Sequence, residues 1–497
     1  MNPFCRTQVT FPAGTEKTGV GIERWILLLL GLILVVTSGC ASHRRQGNAM
    51  ERAWEQGEVE RAADLAERLA ERRSGRRDDV LWYLEAGRTL QAAGRYEESR
   101  ESFRKAAEQI AERDEEWERQ MVREIGAALT NLSHLPYRAT QSDRIMLEIY
   151  QTLNELAMDR PAEARIHLNR LQARQQEAVE EWPRRLQREK ESLRTEAATE
   201  SRGERRSMVQ PERAAADERF QRQFREQYGP LEQFQKYDEY LNPMAWYLEG
   251  LVFMHRPQIP ADLERARFAF RRLRGLVPDH PVLEADGITL EEVLRGERPG
   301  PYTYVFLETG LAPEKEEIRL DFPLFLVSGD VPYFGAAFPS LRFRGNYDSY
   351  LEVQGGEQRE RTVLVADMDA ILATEFREEL PLIVTKTLTS AGLKAAAVYG
   401  VRELARRESG TLGSLVNLFG WWYQSLMNEA DLRSWRTLPK QWQVARVDTP
   451  ESGEITLWRA GREESWKLDL PPGVIHIVFV RLPSRGATPS TQILVLR

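Results

Sequence analysis

A run of twelve uncharged residues, Trp25–Val36 (WILLLLGLILVV), decides which part of this chain has to fold. As a helix it would reach only about 18 Å. A bilayer's hydrocarbon core is ~30 Å thick, so the run suits the apolar centre of a secretory leader better than a membrane span. Arg24 supplies the positive flank, with Glu23 offsetting part of its charge, and Thr37-Ser38-Gly39-Cys40 follows the run. Small residues admit the strand to a narrow peptidase site. Residues 1–39 are therefore expected to be removed, leaving a mature chain that begins at Cys40.

This order resembles the bacterial lipobox, with Thr37 where a leucine is usual. The resemblance implies lipidation of Cys40. Several acyl chains, at ~0.8 kcal/mol per buried methylene, make a firm membrane anchor. Ala41, and not Asp, follows the cysteine, which by resemblance to Gram-negative lipoproteins implies the outer membrane, with the chain facing the periplasm. The other cysteine is Cys5, inside the leader. The mature monomer is thus expected to have no disulfide, no thiolate zinc site and no cysteine nucleophile. A formal net charge of -7 gives no general attraction to nucleic acid.

From about residue 49 to 295 the apolar spacing is helical and partly self-similar. Trp82-Tyr83-Leu84-Glu85-Ala86-Gly87 nearly recurs as Trp246-Tyr247-Leu248-Glu249-Gly250. Each stretch is followed by an amphipathic helix, carrying Ser99, Phe103 and Ala106 in one case and Ala266, Phe270 and Leu273 in the other. Small residues let two helices approach while an aromatic fills the space beside them. Weaker copies lie around Gly57, with Ala62, Ala63 and Ala66, and around Asp159, with Ala164, Leu168 and Leu171. These residues resemble tetratricopeptide repeats. Such hairpins stack because none can bury its apolar face alone, and the stack curves into a concave face that takes peptides or proteins. Residues 172–240, dense in both charge signs and broken by Pro183 and Pro211, are expected to be an exposed or partly disordered helical insertion.

Beyond residue 297 the pattern changes to short strands. They are expected near 302–308, 317–322, 336–339, 362–366, 443–447, 454–458, 474–480 and 492–496, with a helical segment over 368–427 kinked at Pro381. The last four suggest a sandwich-like sheet. Within the helical segment, 411–427 (TLGSLVNLFGWWYQSLM) is strongly apolar, and six of the twelve tryptophans lie between 421 and 466. Aromatic packing is expected to bury that segment; a surface loop that docks a partner or dips into lipid is the alternative. The predicted fold class is α+β and multidomain: a leader (1–39), a helical repeat domain (40–295) and a β-rich domain (297–497).

Catalytic signatures are sparse. The six histidines are scattered, with no H-E-x-x-H pair, and neither a G-x-S-x-G elbow nor a phosphate-binding glycine loop occurs. Asp367, Asp369 and Glu375 form an acidic cluster that could serve acid–base chemistry, or simply stabilise the start of a helix. Arg433 and Trp435 could meet an anionic glycan, or form a structural bridge. Tyr83 and Trp246, with Arg433 and Trp435, are the candidate partner contacts. No metal or cofactor is expected.

Three stretches, Gly310–Leu324, Ala366–Leu388 and Ala430–Val447, together with the repeat around Leu153–Leu171, resemble a family of bacterial envelope lipoproteins with tetratricopeptide-like repeats. The resemblance implies an envelope location and no particular reaction. The expected function is a lipid-anchored, non-catalytic scaffold that holds a protein partner in its repeats. A glycan-, peptidoglycan- or lipid-binding role is the first alternative, and a carboxylate-dependent hydrolase the second.

Overall fold

Left-handed turn residues punctuate the helical half at regular places. Gly57, Gly94 and Asp159 have φ of 77°, 78° and 55°. Glycine takes this conformation freely, and aspartate is among the few other residues that tolerate it. The computed structural model describes residues 42–120, 135–200, 211–234, 242–323, 333–407 and 429–497. Cys40 and the 411–427 segment lie outside them. The chain divides into two units, Met1–Gly47 and Asn48–Arg497; the second carries the fold.

The three turns join α1 (Ser42–Glu55) to α2 (Val59–Arg73), α3 (Asp79–Ala92) to α4 (Tyr96–Gln120), and α5 (Gln141–Ala157) to α6 (Pro161–Glu180). A further hairpin pairs α10 (Pro243–His255) with α11 (Ala261–Leu276), its turn lengthened by residues 256–260, before α12 (Pro281–Leu294). Within α3–α4, the Phe103 ring lies against Gly87; within α10–α11, Phe270 lies against Gly250. The glycines, and not the tryptophans, therefore set the correspondence between these hairpins. On that register Tyr83 matches Trp246.

Among the described residues three sheets follow, a two-stranded hairpin and two larger sheets that pack against each other. The five-stranded one runs β11–β10–β1–β7–β6, and the four-stranded one β5–β4–β8–β9. Central β1 (Tyr302–Thr309) is parallel to β10 (Ile475–Leu482) and antiparallel to β7 (Gln441–Asp448). β6 (Val363–Asp367) and β11 (Ser490–Val495) form the edges. The second sheet comprises β4 (Leu351–Gly355), β5 (Gln358–Arg361), β8 (Glu454–Arg459) and β9 (Ser465–Asp469). The last strands thus do not make a sheet of their own, as expected from sequence, but divide between two. β8 was needed to pair β4, and β7 and β10 flank β1.

Period-two alternation gives the larger sheet two buried faces. Val305, Leu307, Ala445, Val447, Val478 and Val480 pack on Leu351, Val353, Ile455 and Leu457 of the second sheet. Tyr304, Phe306, Trp442, Val444, Ile477 and Phe479 belong instead to the core of the helical half. There Phe306 meets Tyr247, and Trp442 meets Tyr150, at ring separations of 5.3 and 6.2 Å. Helices α3 and α10 are buried along their whole length, and α5 nearly so, whereas α6 and α11 bury one stripe each. The fully buried helices form a middle layer between the outer helices and the sheet. Helix gives way to strand between Leu294 and Tyr302, but the core does not break there.

The charged insertion is also less exposed than its composition predicts. Helix α7 (Trp182–Glu200) buries Trp182, Leu186 and Glu189. After the short α8 (Pro211–Ala215), helix α9 (Glu218–Tyr228) places Phe220, Phe224 and Tyr228 four residues apart on one stripe. This stripe packs beside the β2–β3 hairpin (Glu314–Pro323, Tyr333–Arg342) and α13 (Met368–Arg407), in a second core with Phe338, Phe376, Leu380 and Leu388.

Candidate functional site

Charged side chains enter the interior at the joints between layers, and each candidate residue has to be judged by whether such a joint uses it. Arg433 is buried. Its Nη2 and Nε donate to Asp431 at 2.6 and 2.8 Å, its Nη1 donates to the Leu135 carbonyl at 2.9 Å, and its guanidinium lies over Tyr137. Trp435 is 3 % exposed, wedged between Phe103 and Tyr150, with its Nε1 donating to Thr437. It packs the core and offers no face to a glycan, which corrects the expectation placed on it. Trp246 is likewise covered, edge-on to Phe268.

The three carboxylates of the acidic cluster do not converge on one point of chemistry. Asp367 Oδ1 accepts the Asp369 N–H at 3.0 Å across the start of α13. Asp369 pairs with Lys440; burial nevertheless raises its pKa to about 6. Glu375 lies one face further round and accepts the backbone N–H groups of Gln141 and Ser142, at 2.5 and 3.2 Å, at the N-terminus of α5. Thr140 and Asp143 complete that end as a capping box. Burial, reinforced by the nearby Glu379 charge, raises Glu375 to about 8.

Beyond Glu375 lies a cleft of about 150 Å³, lined among others by Tyr137, Arg138, Lys315, Glu379, Lys386 and Asp431. Burial raises Glu379, while Lys315 and Arg138 work against it. Burial also acts to raise Asp431 and Glu189, but their cations win: Arg433 holds Asp431 below the usual range, and Lys386 with Arg138 does so for Glu189. Neighbouring acids pushed in opposite directions are a feature of catalytic sites. Here the ionised ones are spent on ion pairs, and the volume is below the ~300–1,000 Å³ of ordinary ligand pockets. The cleft joins α5, α7, α13 and β2. Among the described residues no group of three or more His, Cys, Asp or Glu side chains could hold a metal ion.

Tyr83 is different. It forms part of an open groove of about 610 Å³ between α2 and α4, lined also by Glu67, Ala70, Glu71, Ser74, Glu97, Glu98, Glu101, Ser102 and Lys105. The Tyr83 hydroxyl donates to Ser74 Oγ at 2.9 Å, fixing the ring at the groove's base. Arg95 bonds Glu67 and Glu98, and Arg100 bonds Glu97, along the rim. The small residues Ala70, Ser74 and Ser102 leave the space open. Sequence reasoning found Tyr83 through its place in the repeat; the rim acids drew no notice because alternating charge is ordinary on a solvated helix.

Comparison with family models, with curated proteins and with solved structures finds no match to this chain. No helix among the described residues is long and apolar enough to cross a membrane.

Proposed function

We propose that this chain is a bacterial envelope lipoprotein, anchored through lipid on Cys40, that acts as a non-catalytic scaffold for a protein partner. Its hairpins are read as tetratricopeptide-like repeats, supported by the recurring aromatic-on-glycine contacts of Phe103 with Gly87 and Phe270 with Gly250. The concave face that such repeats usually offer is filled here by the chain's own five-stranded sheet. The partner is therefore received on the outer helical face, in the groove at Tyr83.

The observation that carries this reading is the groove itself. Of the four candidate contacts, Trp246 and Trp435 are covered and Arg433 lines the 150 Å³ cleft, where Asp431 engages it, whereas Tyr83 lies on the 610 Å³ groove. Four of the five carboxylates on its lining are paired with Arg95, Arg100 or Arg104, and the fifth, Glu71, has no ion pair among the described residues and suits a basic side chain of a partner segment. A photo-crosslinking residue in place of Glu71, in the anchored protein in its own envelope, should yield one discrete adduct. Ser102→Trp, which fills the groove, should abolish it. The same adduct from a distant exposed position such as Glu357, or no adduct at all, would overturn the assignment. The anchor is tested separately: Cys40→Ser should release the protein into the soluble fraction, and continued membrane retention would refute it.

A further inference from the structure

We propose that the trough between α7, the α8–α9 pair and α13 binds a single long-chain fatty acid, with its carboxylate at a cationic rim made by Lys190 and Arg377. The trough has a volume of about 520 Å³, and its floor is apolar: Phe220, Phe224, Leu380, Pro381, Val384 and Leu388. That volume lies within the ~300–1,000 Å³ of ligand pockets. The floor is the outer surface of the second core, so the trough is held open by packed side chains on three helices.

The polar groups decide what it takes. Thr385 Oγ1 donates to the Pro381 carbonyl at 2.8 Å, and Gln221 Nε2 donates to the Ala215 carbonyl at 2.5 Å. Both line the trough, and both are already engaged. An extended peptide laid there would find few partners for its backbone groups, which cannot be left unpaired at low cost. An acyl chain has none to satisfy. Lys190 and Arg377 also line the trough. Elsewhere in this charge-rich protein cations are paired many times over, yet neither of these two has an ion-pair or hydrogen-bond partner among the described residues. The one carboxylate on the lining, Glu212, is engaged in an interaction of its own. An unpaired cation beside an apolar wall attracts an anion more strongly than one in open water. One trough accommodates one chain, and a diacyl lipid would leave its second chain in solvent.

The test uses the mature-length chain carrying Cys40→Ser, so that no anchor lipid competes for the trough. Palmitate and its uncharged counterpart monopalmitoylglycerol are titrated below their micelle concentrations. Palmitate should bind saturably at one site per chain. The double variant Lys190→Gln/Arg377→Gln should weaken palmitate at least tenfold and monopalmitoylglycerol less than twofold. Thr385→Trp, which fills the trough from an exposed helix face, should weaken both. No saturable binding, or palmitate binding that the double variant leaves unchanged, overturns the proposal. So does a dimer that Thr385→Trp dissociates, because the occupant would then be a second copy. None of these outcomes bears on the Tyr83 groove, which is on other helices.

Discussion

Replacing Glu308 by glutamine should destabilise the protein far more than removing either cation beside it. Glu308 lies on β1, 2 % exposed, and receives Arg88 of α3 and Arg481 of β10, each 1 % exposed. Arg88 Nη1 also donates to Gln91 at 2.7 Å, and Arg481 Nη2 to Gln91 and Gln492 at 3.0 and 2.7 Å. The cluster therefore holds two guanidinium groups on one carboxylate. Burial, with the Arg88 charge behind it, brings Arg481 down to about 10, against the pull of Glu308. An arginine side chain does not shed its proton at neutral pH to escape burial. Glu308→Gln removes the carboxylate that both arginines share and leaves two buried cations facing each other. Breaking a buried pair in this way costs about 3–5 kcal/mol, a large part of the ~5–15 kcal/mol that holds a typical native protein together. Arg88→Met instead leaves one carboxylate on one guanidinium, and should cost about 1–3 kcal/mol, from lost charge-assisted hydrogen bonds. Urea unfolding followed by tryptophan fluorescence would measure both. The reasoning fails if Glu308→Gln lies within 1 kcal/mol of wild type or costs no more than Arg88→Met.

Further outcomes follow from single residues. Glu375 is raised from 4.5 to about 8, chiefly by burial. The folded state then binds more protons than the unfolded one between those values, so this group's stabilisation is full below about pH 4.5 and is lost as pH rises through about 8. Glu375→Gln should shrink the fall in urea midpoint between pH 5 and pH 8.5; an unchanged fall would refute the assignment. His255 is lowered from 6.5 to about 3, by burial first and then by the Arg497 and Arg446 charges. Its stabilisation is present above pH 6.5 and lost as pH falls toward 3. His255→Gln should lower the acid-unfolding midpoint, and an unmoved midpoint would count against it. A Cβ on Gly87 would sit 2.7 Å from the Phe103 ring, and one on Gly250 would sit 3.0 Å from Phe270. Overpacking costs ~1–3 kcal/mol against a helix-propensity gain of ~1 kcal/mol. Calorimetry should therefore show Gly87→Ala melting below wild type and below Gly250→Ala; the reverse order would show that the aromatics yield freely.

Much of the architecture was legible because it rests on local signals. Helix–turn–helix spacing revealed the hairpins, and alternation revealed β1, β7, β8 and β10. β4, β5 and β9 escaped notice. LEVQG and SWKLD are short and half polar, and such strands exist only because β8 lies between β4 and β9. The buried side of the charged insertion was hidden for a related reason: three aromatics four residues apart on α9 look minor among so many charges until the β2–β3 hairpin covers them. Burial of Trp435 depends on α4 and α5, hundreds of residues away, and no local pattern encodes that. The same holds for Lys190 and Arg377. Their lack of partners among the described residues is a property of three-dimensional neighbours, in segments where the sequence offers opposite charges on every side.

The sheet on the inner helices bears on the proposed scaffold role. A free concave face can accommodate partners by flexing its stack, since each hairpin contacts only its neighbours. Here α3, α5 and α10 are tied to the sheet as well. Glu85 accepts from Thr437 Oγ1 and from the Arg436 N–H, at 2.6 and 2.7 Å. Asp286 accepts from Tyr247, Tyr304 and Arg446 at 2.7, 2.8 and 3.0 Å. These buried contacts cost much to open, so the hairpins cannot shift independently of the sheet. Under the proposed roles, recognition would fall to surfaces that are already formed, the Tyr83 groove on the outer helices and the apolar trough beside α13. Binding at either should need little rearrangement. The affinity of each should therefore change mainly with its own lining, and only weakly with substitutions at the other.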